Sequence, residues 1–285
     1  MNFRFSISID NVIGHPGILF TRLLSVFYNN QVFNDHKMFA GLFAILISLL
    51  SLQKQPVQIQ RNGKVELRFS HFVGDQKLNI DSTYKNAFGE TYTISRFKYY
   101  VTNIKLVKSS DDSEIEIKDS YFLVYDDDDL SKTISLSVPE GNYSAISFLL
   151  GVDSLHNVSG AQTDALDPMN GMFWTWNTGY VIVKLEGRSS VSTLPGNLIE
   201  YHLGGFKGPD KVNRRISLPF PEGNMYVNDK KTLVLNVKAD INLFFSGINK
   251  LPIKANPACT SAGSLARQYA ENYATLFSIS SAEVQ

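Results

Sequence analysis

The sequence lacks several things, and each absence excludes a class. It has one cysteine, Cys259, in 285 residues. A lone thiol closes no internal disulfide and cannot build a Cys-rich zinc or iron–sulfur site. It has no excess charge of one sign, since 27 Lys and Arg face 27 Asp and Glu. That removes the basic footprint on which nucleic-acid binders rely. Charged residues make up 19% and aromatics 12%, too few of the first and too many of the second for a disordered chain. Catalytic signatures are missing too. There is no G-x-S-x-G elbow, no phosphate loop, no dinucleotide fingerprint and no His-Glu-x-x-His. The Gly-rich run at 204–208 lacks the Lys-Ser/Thr pair and the helix that phosphate cradling requires.

Only one long hydrophobic run is present. Residues 38–52, MFAGLFAILISLLSL, carry no charge and follow Lys37. This is shorter than the roughly 20 residues of a spanning helix. A basic flank before a short apolar core reads instead as a signal-peptide-like segment. The expected organisation is an upstream extension over 1–37, an export signal over 38–52 and one folded domain over 60–280. The expected location is periplasmic or secreted, with no membrane span in the mature form. Without residues 1–52, 24 basic and 25 acidic residues remain, so the domain is itself nearly neutral and offers no electrostatic partner.

Strand signals dominate the rest. Residues 65–73 (VELRFSHFV) alternate in the period of two of a half-buried strand, with His71 among the apolar residues. Short strands are expected over 92–107 (two or more), 121–125, 133–138, 144–152, 173–185, 198–203, 215–220 and 232–245, with turn signals between them. In 264–277, Leu265, Tyr269, Tyr273 and Phe277 recur at four-residue steps, which predicts one C-terminal helix. The predicted fold is all-β: a single antiparallel sandwich, jelly-roll-like, with that helix on its edge or face.

Candidate chemistry is sparse. The four carboxylates at 126–129 lack the spacing of a calcium loop and read as a solvated, self-repelling turn. Three histidines remain in the domain: His71, His156 and His202. Each is either a hydrogen-bonded structural residue or a metal ligand, and imidazoles suit Cu, Zn, Ni and Fe. His71 and His202 lie on predicted strands that could face each other across a sandwich. Trp174 and Trp176 share a strand face, with Met169 and Met172 close by. That pair is core packing, a sugar-binding platform or a site of oxidation.

Three segments together resemble the MbnP-like family, the methanobactin-associated periplasmic copper-binding proteins and their relatives. They are FSHFVG at 69–74 with YTISRFKYYVTNIKL at 92–106, the stretch from GVDSLHNVSG through GMFWTWNTGY to 187, and EYHLGGF at 200–206; AENYATLFSI at 270–279 also fits. The resemblance implies an exported, non-enzymatic β-sandwich that binds copper for acquisition, storage or delivery. It implies His71 and His202 as ligands with His156 third, and Trp174, Trp176 and Met172 as site-lining or modified residues. It also implies a di-haem peroxidase-like partner that oxidises a Trp to kynurenine. Asp153, Asp164, Asp167 and Glu200 are candidates to orient the rings. The competing expectation is a non-catalytic carbohydrate- or partner-binding sandwich that uses the Trp pair.

Overall fold

Alternation of apolar and polar side chains builds the first long strand. The computed structural model describes residues 60–285 apart from 161 and 176–178; the predicted extension, the signal-like run and Trp176 lie outside the described residues. β1 (Asn62–Val73) buries Val65, Leu67, Phe69, His71 and Val73 in turn, as its period predicts. It sits in a five-stranded sheet beside β14 (Thr232–Asp240), which β16 (Phe277–Val284) flanks; β2 (Gln76–Lys77) and β7 (Thr133–Pro139) pair with its other edge.

The larger sheet is organised around β4 (Thr91–Lys108). One edge of β4 pairs first with β10 (Gly179–Ser189) and then with β8 (Gly141–Leu150). Its other edge takes β3 (Thr83–Lys85), β6 (Tyr121–Tyr125) and β5 (Glu114–Glu116). β11 (Leu198–Gly204) extends the sheet beyond β10, and β15 (Ala258–Cys259) adds two residues to it. β12 (Arg214–Pro219) and β13 (Met225–Val227) pair with β8, and β9 (Phe173–Thr175) pairs with β10.

The two sheets face each other across an aromatic core. Phe69 of β1 meets Tyr99 and Phe148, and Phe277 of β16 meets the same two rings, all edge-on at 5.3–6.3 Å. Such geometry suits ring quadrupoles. The all-β sandwich therefore stands, with two departures: β1 pairs with β14 in parallel, and so does β11 with β15.

Four expectations about elements change. Residues 92–107 lie in one 18-residue strand rather than several. Tyr99, Tyr100, Val101 and Thr102 are consecutively buried, because both faces of the sheet are covered there and the period of two vanishes. The strand expected over 232–245 stops at Asp240, whose carboxylate accepts from the backbone N–H of Asn242 and of Gly74. That bond turns the chain into α2 (Asn242–Ser246). The C-terminal helix, α3 (Ser264–Tyr273), ends four residues early and gives way to β16. A further short helix, α1 (Ser154–Val158), lies in the excursion between β8 and β9.

That excursion positions the candidate site, because it packs on the outer face of the larger sheet. Asn157 Oδ1 accepts from the Tyr180 N–H, and the Tyr180 hydroxyl donates to the Leu166 carbonyl. Lys98 Nζ donates to the Asn170 carbonyl and Lys184 Nζ to that of Gly171. Among the described residues no helix is long and apolar enough to cross a membrane.

Candidate functional site

The three histidines occupy three different environments. His71 points between the sheets, edge-on to Phe97 at 5.1 Å and Tyr99 at 5.5 Å. Its Nδ1 is 2.6 Å from Asp126 Oδ1 and its Nε2 is 2.9 Å from the Tyr99 hydroxyl. A carboxylate only accepts, so Nδ1–H donates to Asp126 and the Tyr99 O–H donates to Nε2. Both nitrogens are consumed and the side chain is fully buried. Burial holds the imidazole below its ordinary titration range, only partly offset by the bond to Asp126. A cavity of about 530 Å³ opens beside it, lined by Arg68, Lys77, Asp127 and Lys132 among others, but His71 offers that space no unused nitrogen. In this arrangement both of its nitrogens tie β1 to its neighbours.

This arrangement also revises the reading of 126–129. Asp126 is not solvated; it is nearly buried and spent on His71. Asp128 accepts from the Leu130 and Ser131 N–H groups, and Asp129 pairs with Lys132. Asp127, Asp128 and Asp129 all keep the exposed character expected of the run.

His202 lies on the opposite side of the larger sheet. On β11 it alternates with buried Tyr201 and Leu203, so it faces outward. Its Nε2 is 2.7 Å from Glu186 Oε1 on β10, while Glu186 Oε2 accepts from Arg96 Nη1 on β4. The hydrogen bond from His202 pulls the Glu186 carboxyl down to about 2 against the effect of burial, with Arg96 and Lys184 assisting. Among the described residues, His202 Nδ1 has no hydrogen-bond partner. The backbone of the larger sheet therefore separates His71 from His202, and the expected pairing across the sandwich does not occur.

Trp174 shares the His202 face. A Cβ built on Gly204 would fall 2.6 Å from the Trp174 ring. Gly204 is two residues beyond His202 and on the same face of β11, so the half-buried indole lies next to the imidazole's row. Met172 is fully buried in the core rather than lining a site, and Met169 is 90% exposed.

His156, in α1, forms a third environment. Its Nδ1 is 2.9 Å from Asp153 Oδ2 and 2.9 Å from the Tyr121 hydroxyl, which itself donates to Asp153 at 2.5 Å. Burial pushes the Asp153 carboxyl up, but the bonds from Tyr121 and His156 outweigh it and hold it low. The His156 ring lies against Tyr121, with centroids 4.2 Å apart. In the sheet, His202 is in register with Lys184, Lys98 and Tyr125 on successive strands. Three strand spacings amount to about 14 Å, and Tyr121 is four residues further along β6, about 13 Å. His156 and His202 are thus separate sites.

Among the described residues no three His, Cys, Asp or Glu side chains come together as a metal cage. As a test of fit to copper, the donors divide clearly. His71 does not fit, because both nitrogens are used. His202 and His156 each have one nitrogen held by a carboxylate and one uncommitted, which is how metal-ligating imidazoles are usually oriented. Among the described residues, His202 is the histidine whose strand face also carries an indole, that of Trp174 over Gly204. Of the candidate orienters only Asp153 acts as one. Glu186 and Asp126 were missed, since each lies far in sequence from its histidine.

The family model described as MbnP matches residues 62–261. No curated protein matches. Among solved structures, MbnP from Methylosinus trichosporium matches with 14% identity and a TM-score of 0.49, over 70% of this chain and 83% of that one.

Proposed function

Since the chain belongs to the MbnP family, we propose that it is an exported, non-catalytic copper-binding protein, acting in copper acquisition, storage or delivery outside the cytoplasm. The observation that carries this reading is His202: an imidazole fixed through Nε2 by Glu186, with Nδ1 uncommitted among the described residues and Trp174 on the same face. His202 would anchor the metal and Glu186 would orient it. Copper, when bound, supplies affinity for borderline nitrogen donors and a redox couple. Trp174 is the described residue that oxidation to kynurenine would use, and a di-haem peroxidase-like protein is the partner proposed for that step. His71 has no part in the site.

Support comes from the family and from the carboxylate-held ring. The sugar-platform alternative would require the faces of Trp174 and Trp176 to be presented together to solvent, whereas one edge of the Trp174 ring rests on Gly204. The test is copper titration of the natively secreted protein, with mass spectrometry of its N-terminus. The expected result is about one copper per chain by few-ligand logic, abolished by His202→Ala and retained in His71→Ala. An N-terminus close to residue 52 is expected. Undiminished binding in His202→Ala would remove the site, and a mature N-terminus near Met1 would remove the export reading.

A further inference from the structure

We propose that Glu186 is a positioning residue that selects the tautomer of His202, so that Nδ1 and not Nε2 is the nitrogen offered to a ligand. This rests on the reading of His202 as the anchor. The geometry is a chain across three strands. Arg96 of β4 donates from Nη1 to Glu186 Oε2, and Glu186 Oε1 accepts from His202 Nε2 at 2.7 Å. An ionised carboxylate has no proton to give, so the shared proton must reside on Nε2. The neutral ring then carries its lone pair on Nδ1. Arg96 fixes which carboxylate oxygen is free for the imidazole, and the paired register of β4, β10 and β11 fixes the distance between all three groups.

The strands also set what surrounds the ring. His202 stands on the face that carries Trp174 over Gly204. Lys98 and Lys184, which neighbour Glu186 on that face, are occupied by the carbonyls of Asn170 and Gly171. They hold the turn that leads into β9 and do not compete for Glu186. Nε2 is directed along the sheet into the carboxylate, which leaves Nδ1 as the ring's open donor. A ligand that requires a lone pair, such as a borderline metal ion, can meet this imidazole only there. Oriented ring donors of this kind raise metal affinity without touching the metal.

The test begins with metal-free protein, so it does not depend on copper. Nitrogen-15 NMR of the imidazoles at neutral pH is expected to show His202 as the Nε2–H tautomer. An Nδ1–H tautomer would overturn the proposal. Glu186→Gln, whose amide can donate or accept, is expected to give a mixed tautomer and a copper affinity lower by about 10–100-fold. Far-ultraviolet circular dichroism reports whether that variant is folded; the wild-type tautomer decides the matter if it is not. Undiminished copper affinity in folded Glu186→Gln also overturns the positioning role while leaving copper binding intact. A wild-type protein with the Nε2–H tautomer that binds no copper supports the role of Glu186 in orienting the ring and rejects the copper function.

Discussion

At the scale of single residues, burial has a measurable consequence at His71. Its ring is neutral, with Tyr99 donating to one nitrogen and Asp126 accepting from the other. Desolvation lowers its proton affinity in the fold, whereas an unfolded chain takes up that proton near pH 6.5. Below that pH the unfolded state therefore binds more protons than the native one, and stability falls with falling pH. The loss stops once pH drops below the folded-state value. Chemical denaturation of wild type between pH 7.5 and 5 is expected to show this slope. His71→Phe is expected to flatten it, whatever the substitution does to overall stability. A variant as steeply pH-dependent as wild type would show that another group controls acid stability. The sequence revealed that His71 faces a core, through the alternation of residues 65–73. It could not reveal Asp126, whose contact spans 55 residues.

At the scale of elements, the approach of β9 to β11 depends on the missing side chain of Gly204. A Cβ there would lie 2.6 Å from the Trp174 ring and 2.9 Å from the Tyr180 carbonyl. Gly204→Val is therefore expected to push the indole off the sheet and to cost about 1–3 kcal/mol, as overpacking does. Red-shifted tryptophan emission and a lowered melting temperature are the readouts. An unshifted spectrum would mean that Trp174 does not rest on Gly204. Most strands could be read from periodicity because each has one face in the core. The reading failed where that condition failed. In β4, residues 99–102 are buried on both faces. At 232–245 an apolar run hid a strand followed by a helix, and only the side-chain bond of Asp240 to the Asn242 N–H marks the boundary. Very short strands such as β2 and β15 carry no periodicity to detect.

At the scale of the whole molecule, Glu90 ties distant segments together. Its carboxylate accepts from the backbone N–H groups of Ile253 and Lys254 and from Asn86 Nδ2, at 2.7–2.9 Å. The first two links join residues more than 160 positions apart. Glu90→Gln would turn an amide donor toward donors, so it should cost about 1.5–3 kcal/mol, the worth of a charged hydrogen bond. Thermal melts are expected to show that loss as one cooperative transition. A lowered early transition with the main one intact would mean that the 250–256 segment unfolds alone. Cys259, the lone thiol, is buried, and burial pushes it up to about 11. It is chemically quiet in the native fold.

What the sequence alone determined was local. Alternating side chains set the strands and their buried faces, near-neutral charge gave no basic footprint for nucleic acid, and one cysteine removed Cys-rich metal sites. The segments at 69–106, 151–187 and 200–206 resembled the family. Only the tertiary structure showed which imidazoles keep a nitrogen uncommitted, those of His202 and His156 but not His71. An imidazole's role depends on what its two nitrogens touch, and those partners come from other strands. Register placed Glu186 beside His202 and left Nδ1 uncommitted, while the turn after β6 placed Asp126 beside His71 and, with Tyr99, used both its nitrogens. Strand period fixes the face on which a side chain stands; only the pairing of strands distant in sequence decides what stands next to it.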